Sequence, residues 1–295
     1  MERNTAIIRN GELEVELLLP GNYTRSRYDH SAMVEQIRLG GNTFLGREKI
    51  GSGYGLGGVG LAFCLEWADA ALYDDTAVAD LFPLMGTGLL IRTDTSPFLF
   101  NRDYPVVPFE HVVHAGEQEL SVHTLPHLCR GMAFEQERLF RVDGNSLLVR
   151  CSLKNVGEKQ IEGTEFCHNF FQFNALPVDS SYRLSFPYTI LPRVRRGQVF
   201  VERDALRLGA FDEATASTAF WLNGFEGLQS HWMKLEHEKT RTGVLVEEDF
   251  PLCRIYSWNN RDAICPETFI ALSLAPGEER TWTRKYTFYT LSQLS

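Results

Sequence analysis

The chain has 295 residues, 44% of them hydrophobic and 23% charged, enough to bury a sizeable core and too apolar for a disordered or collagen-like protein. Its formal net charge of -9 provides no overall basic field to hold phosphate backbones or an anionic membrane, so neither nucleic acid nor membrane is an expected partner. From the start, residues 1–19 carry charges at Glu2, Arg3, Arg9, Glu12, Glu14 and Glu16 and lack the apolar run of a secretion signal. No window offers the roughly 20 uninterrupted apolar residues of a membrane span, and a cytoplasmic protein is expected. Glu12 to Leu17 alternates polar and apolar residues with period two, the pattern of a half-buried strand. Gly51 to Gly60 contains GxGxxG twice, but Arg47-Glu48-Lys49 precedes it instead of a buried strand and no helical pattern comes after it, so it reads as a loop and not a dinucleotide fingerprint. Asp69 to Leu81 keeps the best helical spacing in the chain and reads as a short helix or a loop.

Downstream the strand pattern dominates. Val142-Asp143-Gly144-Asn145 supplies hairpin chemistry, because Asp-Gly provides the positive φ of a tight turn. Ser146 to Leu153, Gln198 to Glu202, Gly243 to Glu247 and Trp282 to Phe288 all alternate and are bounded by turn formers. Many short strands without regularly interspersed long helices define an all-β chain, a large antiparallel β-sandwich with few short helices. With no linker and no internal period, residues 1–295 read as a single domain.

The chemistry-bearing residues narrow the choice. Six cysteines (Cys64, Cys129, Cys151, Cys167, Cys253 and Cys265) form no CxxC pair and read as reduced thiols. The close histidine pairs, His111/His114, His123/His127 and His231/His237, lack ligand spacing, and Pro126 breaks any helix that would align the second pair, so no metal is expected. GxSxG and SxxK are absent. Glu135 and Glu137 share one strand face, as the carboxyl pair of a glycosidase must, and as a solvated strand face also does. More informative are Thr164-Glu-Phe-Cys-His-Asn-Phe-Phe-Gln-Phe-Asn174, with a histidine in an unusually aromatic strand, and the segment Trp258 to Leu272, where Glu267 sits among Cys265, Pro266, Phe269 and Ile270. A carboxyl in such company has its pKa raised if it is buried.

Together these two segments resemble the aldose 1-epimerase family of galactose mutarotase-like proteins. Cys167-His168-Asn169-Phe170-Phe171 is similar to the family's Asn-His-x-Tyr/Phe strand motif, and Pro266-Glu267-Thr268-Phe269 to its glutamate segment near the C-terminus. Leu274 to Trp282 resembles the terminal hairpin, and Gly21 to Met33 with Gly40 to Gly46 resembles the opening of a bacterial branch of the family. The resemblance implies a twisted sandwich with a sugar cleft across one sheet, an isomerase that interconverts anomers without a cofactor, and His168 and Glu267 as its acid/base pair. It further implies aromatic platforms and polar ligands for a sugar, for which Trp67, Phe170 and Trp258, and Arg47, Glu66 and Arg102, are the candidates. The family's second active-site histidine has no match; the comparable region reads Phe82-Pro-Leu-Met-Gly-Thr-Gly88. A carbohydrate hydrolase or lyase using Glu135 or Glu137, and a sugar-binding protein without turnover, are the alternatives. A small-molecule sugar is the expected partner, and a monomer or homodimer the expected state.

Overall fold

The structure is a computed structural model and describes residues 4–48, 57–64, 72–100, 102–211 and 216–290. Almost all regular structure among them is antiparallel β. The first large sheet runs, edge to edge, β1 (Thr5–Asn10), β2 (Leu13–Leu18), β3 (Met33–Leu39), β5 (Gly58–Cys64), β13 (Ile161–Phe170), β22 (Ala263–Leu274), β21 (Arg254–Asn260), β18 (Thr218–Asn223) and β15 (Leu191–Arg196), with β4 (Asn42–Thr43) paired to β3. The second runs β16 (Val199–Glu202), β17 (Ala205–Leu208), β14 (Tyr182–Ser185), β19 (His231–His237), β20 (Thr242–Glu248), β23 (Glu279–Thr290), β12 (Ser146–Asn155), β11 (Phe134–Asp143), β10 (Glu119–Thr124) and β9 (His111–Ala115). A small sheet of β6 (Leu81–Leu84), β7 (Gly88–Ile91) and β8 (Val106–Pro108) stands apart from both.

Each alternating run lies in a strand: Glu12 to Leu17 mostly in β2, Ser146 to Leu153 in β12, Gln198 to Glu202 mostly in β16, Gly243 to Glu247 in β20 and Trp282 to Phe288 in β23. The Asp143-Gly144 turn joins β11 to β12, with Asp143 opposite Ser146 and Gly144 at φ 54°. In the Asp69 to Leu81 segment, described from residue 72, there is one helical turn at residues 72–74, and Leu81 already opens strand β6. The glycine-rich segment runs into strand β5 and not into a helix, which removes the dinucleotide geometry.

The two large sheets pack face to face across β13 and β23. Because a strand turns successive side chains to opposite faces, Glu165, Cys167 and Asn169 of β13 face inward. There Glu165 accepts hydrogen bonds from Trp282 Nε1 (3.1 Å) and Arg284 Nη1 (3.0 Å), and Asn169 Oδ1 accepts one from the Tyr286 hydroxyl (2.9 Å). These contacts belong to a buried chain of alternating charge. Asp29 meets Arg138 at 3.3 Å, Arg138 meets Glu165 at 3.8 Å, Arg284 meets Glu165 at 2.9 Å and Glu248 at 3.1 Å, and Glu248 meets His231 at 2.9 Å. Charges in a low-dielectric interior persist only when paired and hydrogen-bonded, and here each has an opposite neighbour. Around the chain lies one continuous apolar cluster drawn from both sheets, from Ile8 and Leu13 to Tyr286 and Phe288.

Candidate active site

The opposite face of the first sheet carries a cleft. Its floor is built by strand parity: β13 sends out Phe166 and His168, β22 sends out Glu267 and Phe269, and β21 sends out Arg254, Tyr256 and Trp258. Register aligns them, since Phe166 lies opposite Phe269, Tyr256 opposite Glu267 and Arg254 opposite Phe269. On the other side of β13, His168 lies opposite Gly60. A Cβ at Gly60 would stand 2.5 Å from Met33 Cε and 3.1 Å from the Tyr28 ring, so glycine there leaves room for Tyr28 to pack against the His168 imidazole, centroid to centroid 4.9 Å. The cleft has a volume of about 550 Å³, within the range of small-molecule sites.

At its floor, His168 Nδ1 is 2.9 Å from Glu267 Oε1. The Cys265 thiol donates to the same oxygen at 3.5 Å, leaving Glu267 Oε2 outside both contacts. The imidazole lies between Phe166, edge-on at 4.7 Å, and Phe170, parallel at 5.5 Å, which fixes the plane of the ring. Its second nitrogen, Nε2, is buried without a hydrogen-bond partner among the described residues. Elsewhere in the lining, Arg27 Nη1 donates to both carboxylate oxygens of the buried Glu48, at 2.9 and 2.7 Å. Tyr256 has its phenol pKa raised, first by burial and then by the Glu267 charge, so it faces the cleft as a protonated donor.

The ligand atoms of His168, Cys265 and Glu267 lie within 4.8 Å of one another, close enough to share a metal ion. Burial pushes the Cys265 thiol well above its ordinary pKa, so without an ion it is a protonated donor. As they stand, His168 Nδ1 and the Cys265 thiol both lie against Glu267 Oε1.

Of the residues singled out in the sequence, His168, Glu267 and Trp258 meet in this cleft. Phe170 is buried, and its contribution is to support the His168 ring from behind. Arg47 pairs with Glu35, and Arg102 pairs with Asp94 through Nη1–Oδ1 at 3.0 Å; neither is among the residues lining the cleft. Glu66 and Trp67 lie outside the described residues. Glu165 faces Arg284 in the core, on the opposite side of β13 from His168. Glu135 and Glu137 sit on β11 in the second sheet, beside His123 (3.1 Å) and Arg150 (3.9 Å), and form no constellation with His168. Residues that the sequence alone does not single out are Arg27, Glu48, Arg195, Arg196, Trp221 and Tyr256. A signal for some of them existed: Arg254-x-Tyr256-x-Trp258 is a period-two stripe of sugar-binding residue types in one strand.

This architecture is the galactose mutarotase-like β-sandwich. No protein-family model and no curated protein matches the chain. Solved structures match along nearly its whole length. A galactose mutarotase-like protein from Lactobacillus casei aligns with TM-score 0.60 at 12% identity, over 97% of this chain and 100% of that one. A galactose mutarotase related enzyme from Lactobacillus acidophilus aligns with TM-score 0.56 at 13% identity, over 98% of each chain. The GalM/aldose epimerase homologue from C. elegans aligns with TM-score 0.56 at 12% identity, over 98% of this chain and 100% of that one. At such identities the likeness establishes the fold, and the chemistry has to be argued from the site.

Proposed function

We propose that the protein is an aldose 1-epimerase-type isomerase, which interconverts the α and β anomers of a free sugar. The observation that carries the reading is the His168–Glu267 pair, held at 2.9 Å on adjacent strands in the floor of a cleft lined by aromatic and charged side chains. Opening a cyclic hemiacetal removes a proton from the C1 hydroxyl and delivers one to the ring oxygen as the bond between C1 and that oxygen breaks. Two proton-transfer groups are therefore required, and no redox or group-transfer partner.

Glu267 Oε2 takes the C1 hydroxyl proton. His168, protonated and donating Nδ1–H to Glu267 Oε1, gives its Nε2 proton to the ring oxygen. Rotation about the C1–C2 bond then presents the other face of the aldehyde, the ring hydroxyl attacks C1, and both protons return. The unsatisfied, buried Nε2 supports this assignment: an orphan polar atom costs roughly 1–3 kcal/mol, which a substrate oxygen in hydrogen-bond contact recovers. Because Nε2 is covered in the free protein, that oxygen reaches it by displacing what covers it. The flanking Phe166 and Phe170 rings keep the imidazole plane fixed during transfer. Trp258 and Tyr256 offer faces to the C–H patches of a sugar ring.

The test is saturation-transfer NMR between anomeric proton signals of a sugar panel, for the wild type and for His168→Asn and Glu267→Gln. Accelerated exchange that both substitutions abolish is the expected result; exchange equal in all three proteins overturns the assignment.

A further inference from the structure

Among the described residues, the charges that line the cleft are unbalanced. Among the described lining residues there are four arginines, Arg27, Arg195, Arg196 and Arg254, against two glutamates, Glu48 and Glu267. Both glutamates are committed, Glu48 to Arg27 and Glu267 to His168. The surplus positive charge stands in a chain whose overall formal charge is -9, so it is a local feature and not a sample of the surface.

The backbone is shaped to produce it. In a regular strand Arg195 and Arg196 would point to opposite faces. In β15 the register with β18 slips between Val194, opposite Phe220, and Arg196, opposite Ala219. Such a bulge re-aims side chains at a sheet edge, and here both consecutive arginines line the cleft. Neither makes an ion pair among the described residues, and both act electrostatically on Tyr256. Arg254 extends the same positive rim, its guanidinium over the Phe269 ring at 4.9 Å and the Trp221 ring at 5.8 Å, an arrangement that holds the planar group in place.

We infer that Arg195 and Arg196 form a subsite for an anionic group on the substrate, so that the sugar is an acidic aldose: an aldose phosphate or a uronate. The inference rests on the isomerase reading only for the orientation of the ligand. The oxyanion, phosphate or carboxylate, is what these sugars share, and guanidinium groups bind either one bidentately. Its position comes from the sheet. From β22, which carries Glu267, to β15 there are three strand steps through β21 and β18, or about 14 Å. The anionic group therefore sits at the end of the sugar remote from C1, which must in any case carry a free hydroxyl for ring opening.

The experiment compares a hexose 6-phosphate, a hexuronate and the corresponding neutral hexose. Binding is measured by calorimetry on the His168→Asn protein and on His168→Asn combined with Arg195→Gln and Arg196→Gln; anomeric exchange is measured in the His168-containing counterparts. The expected result is that at least one acidic sugar binds about tenfold or more tightly than the neutral one, that this preference collapses in the arginine variant, and that it weakens with added salt. Inorganic phosphate should compete with the phosphate ester. If the uronate is preferred over the phosphate, the subsite stands and its oxyanion is a carboxylate. Equal binding of acidic and neutral sugars, or a preference untouched by the arginine substitutions, overturns the subsite. Tight arginine-dependent binding of an acidic sugar without any exchange in the His168-containing protein sustains the subsite and overturns the isomerase. Exchange confined to neutral sugars does the reverse.

Discussion

Among the described residues two histidine–glutamate pairs are buried, and their carboxylate contacts are the same length. His168 Nδ1 lies 2.9 Å from Glu267 at the cleft floor, and His231 Nδ1 lies 2.9 Å from Glu248 between the sheets. The difference is in what surrounds them. His231 Nε2 is taken by the Tyr188 hydroxyl at 2.9 Å, while Glu248 is also bonded by Arg284 at 3.1 Å and by the Thr268 hydroxyl. His168 Nε2 has no such partner among the described residues, and Glu267 keeps one oxygen outside its contacts. A fully satisfied pair is a structural joint; a pair with one open acid and one open base can act on a third molecule. The distance between histidine and carboxylate does not separate the two roles, and the remaining valences do.

The largest effect expected from this contrast is catalytic. His168→Asn or Glu267→Gln should lower anomeric exchange by about 10²–10⁴-fold, the range typical of one positioned proton transfer. His231→Asn should leave exchange per folded molecule within a few-fold and instead lower stability by about 1–3 kcal/mol, because buried hydrogen bonds to Glu248 and Tyr188 are lost. Parallel NMR exchange and urea denaturation on both variants checks this. A loss of exchange in His231→Asn comparable to that in His168→Asn would break the distinction.

Next in size is the core chain itself. Glu165 joins Arg138, Arg284 and Trp282, and Glu165→Gln removes the one negative charge between two buried arginines. Stripping one partner from a buried pair costs about 3–5 kcal/mol, so the urea midpoint should fall accordingly. The neighbours of Glu165 on β13 bear the cleft groups, but their side chains leave the opposite face of the strand. Exchange measured on the folded fraction should therefore change far less than it does in the cleft variants.

How much of this was legible in the sequence depends on the distance over which the signal acts. The strands were legible because period two is local, as in β2, β12, β16, β20 and β23. His168 and Glu267 were legible through a family resemblance, although the sequence placed them 99 positions apart and only the β13–β22 pairing brings them together. Arg47 and Arg102 are polar residues in the right kind of segment for a sugar ligand, and nothing local announces that Glu35 and Asp94 take their guanidinium groups. Arg195 and Arg196 escaped because strand parity would have separated them, and a bulge is a property of two strands in register. The interior charges were hidden for a related reason. Parity puts Arg284 on the face of Trp282 and Tyr286, and Glu248 on that of Val244 and Val246, but only the facing sheet supplies the partners that make burying these charges tolerable.

A third expectation concerns pH. Burial alone would raise the carboxyl pKa of Glu248, but the hydrogen bond and charge of His231, with the charge of Arg284, outweigh it and hold the group below its ordinary 4.5. A carboxyl depressed in the folded state contributes stability that is fully present above its unfolded pKa and is lost as pH falls through the folded one. Stability should therefore decline as pH drops below about 4.5, at a slope of at most about 1.4 kcal/mol per pH unit from this group. Glu248→Gln should start from a lower plateau and show a shallower acid limb. A limb of unchanged slope would mean that Glu248 releases no more protons on folding than an ordinary carboxyl.

The smallest effect is the most useful control on which face of the molecule is chemical. Glu135 and Glu137 have the pattern of a glycosidase pair, but they project from β11 into solvent, with side chains 39% and 44% exposed, beside His123 and Arg150. Exposed ion pairs contribute about 0–1 kcal/mol. The cleft lies on the first sheet and these glutamates on the second, so no substrate bound at His168 touches them. Glu135→Gln and Glu137→Gln, alone or together, should leave exchange within about twofold and stability within about 1 kcal/mol. Oligosaccharide cleavage that depends on either residue would place a second chemistry on β11 and would end the view that one sheet of this sandwich carries all of it.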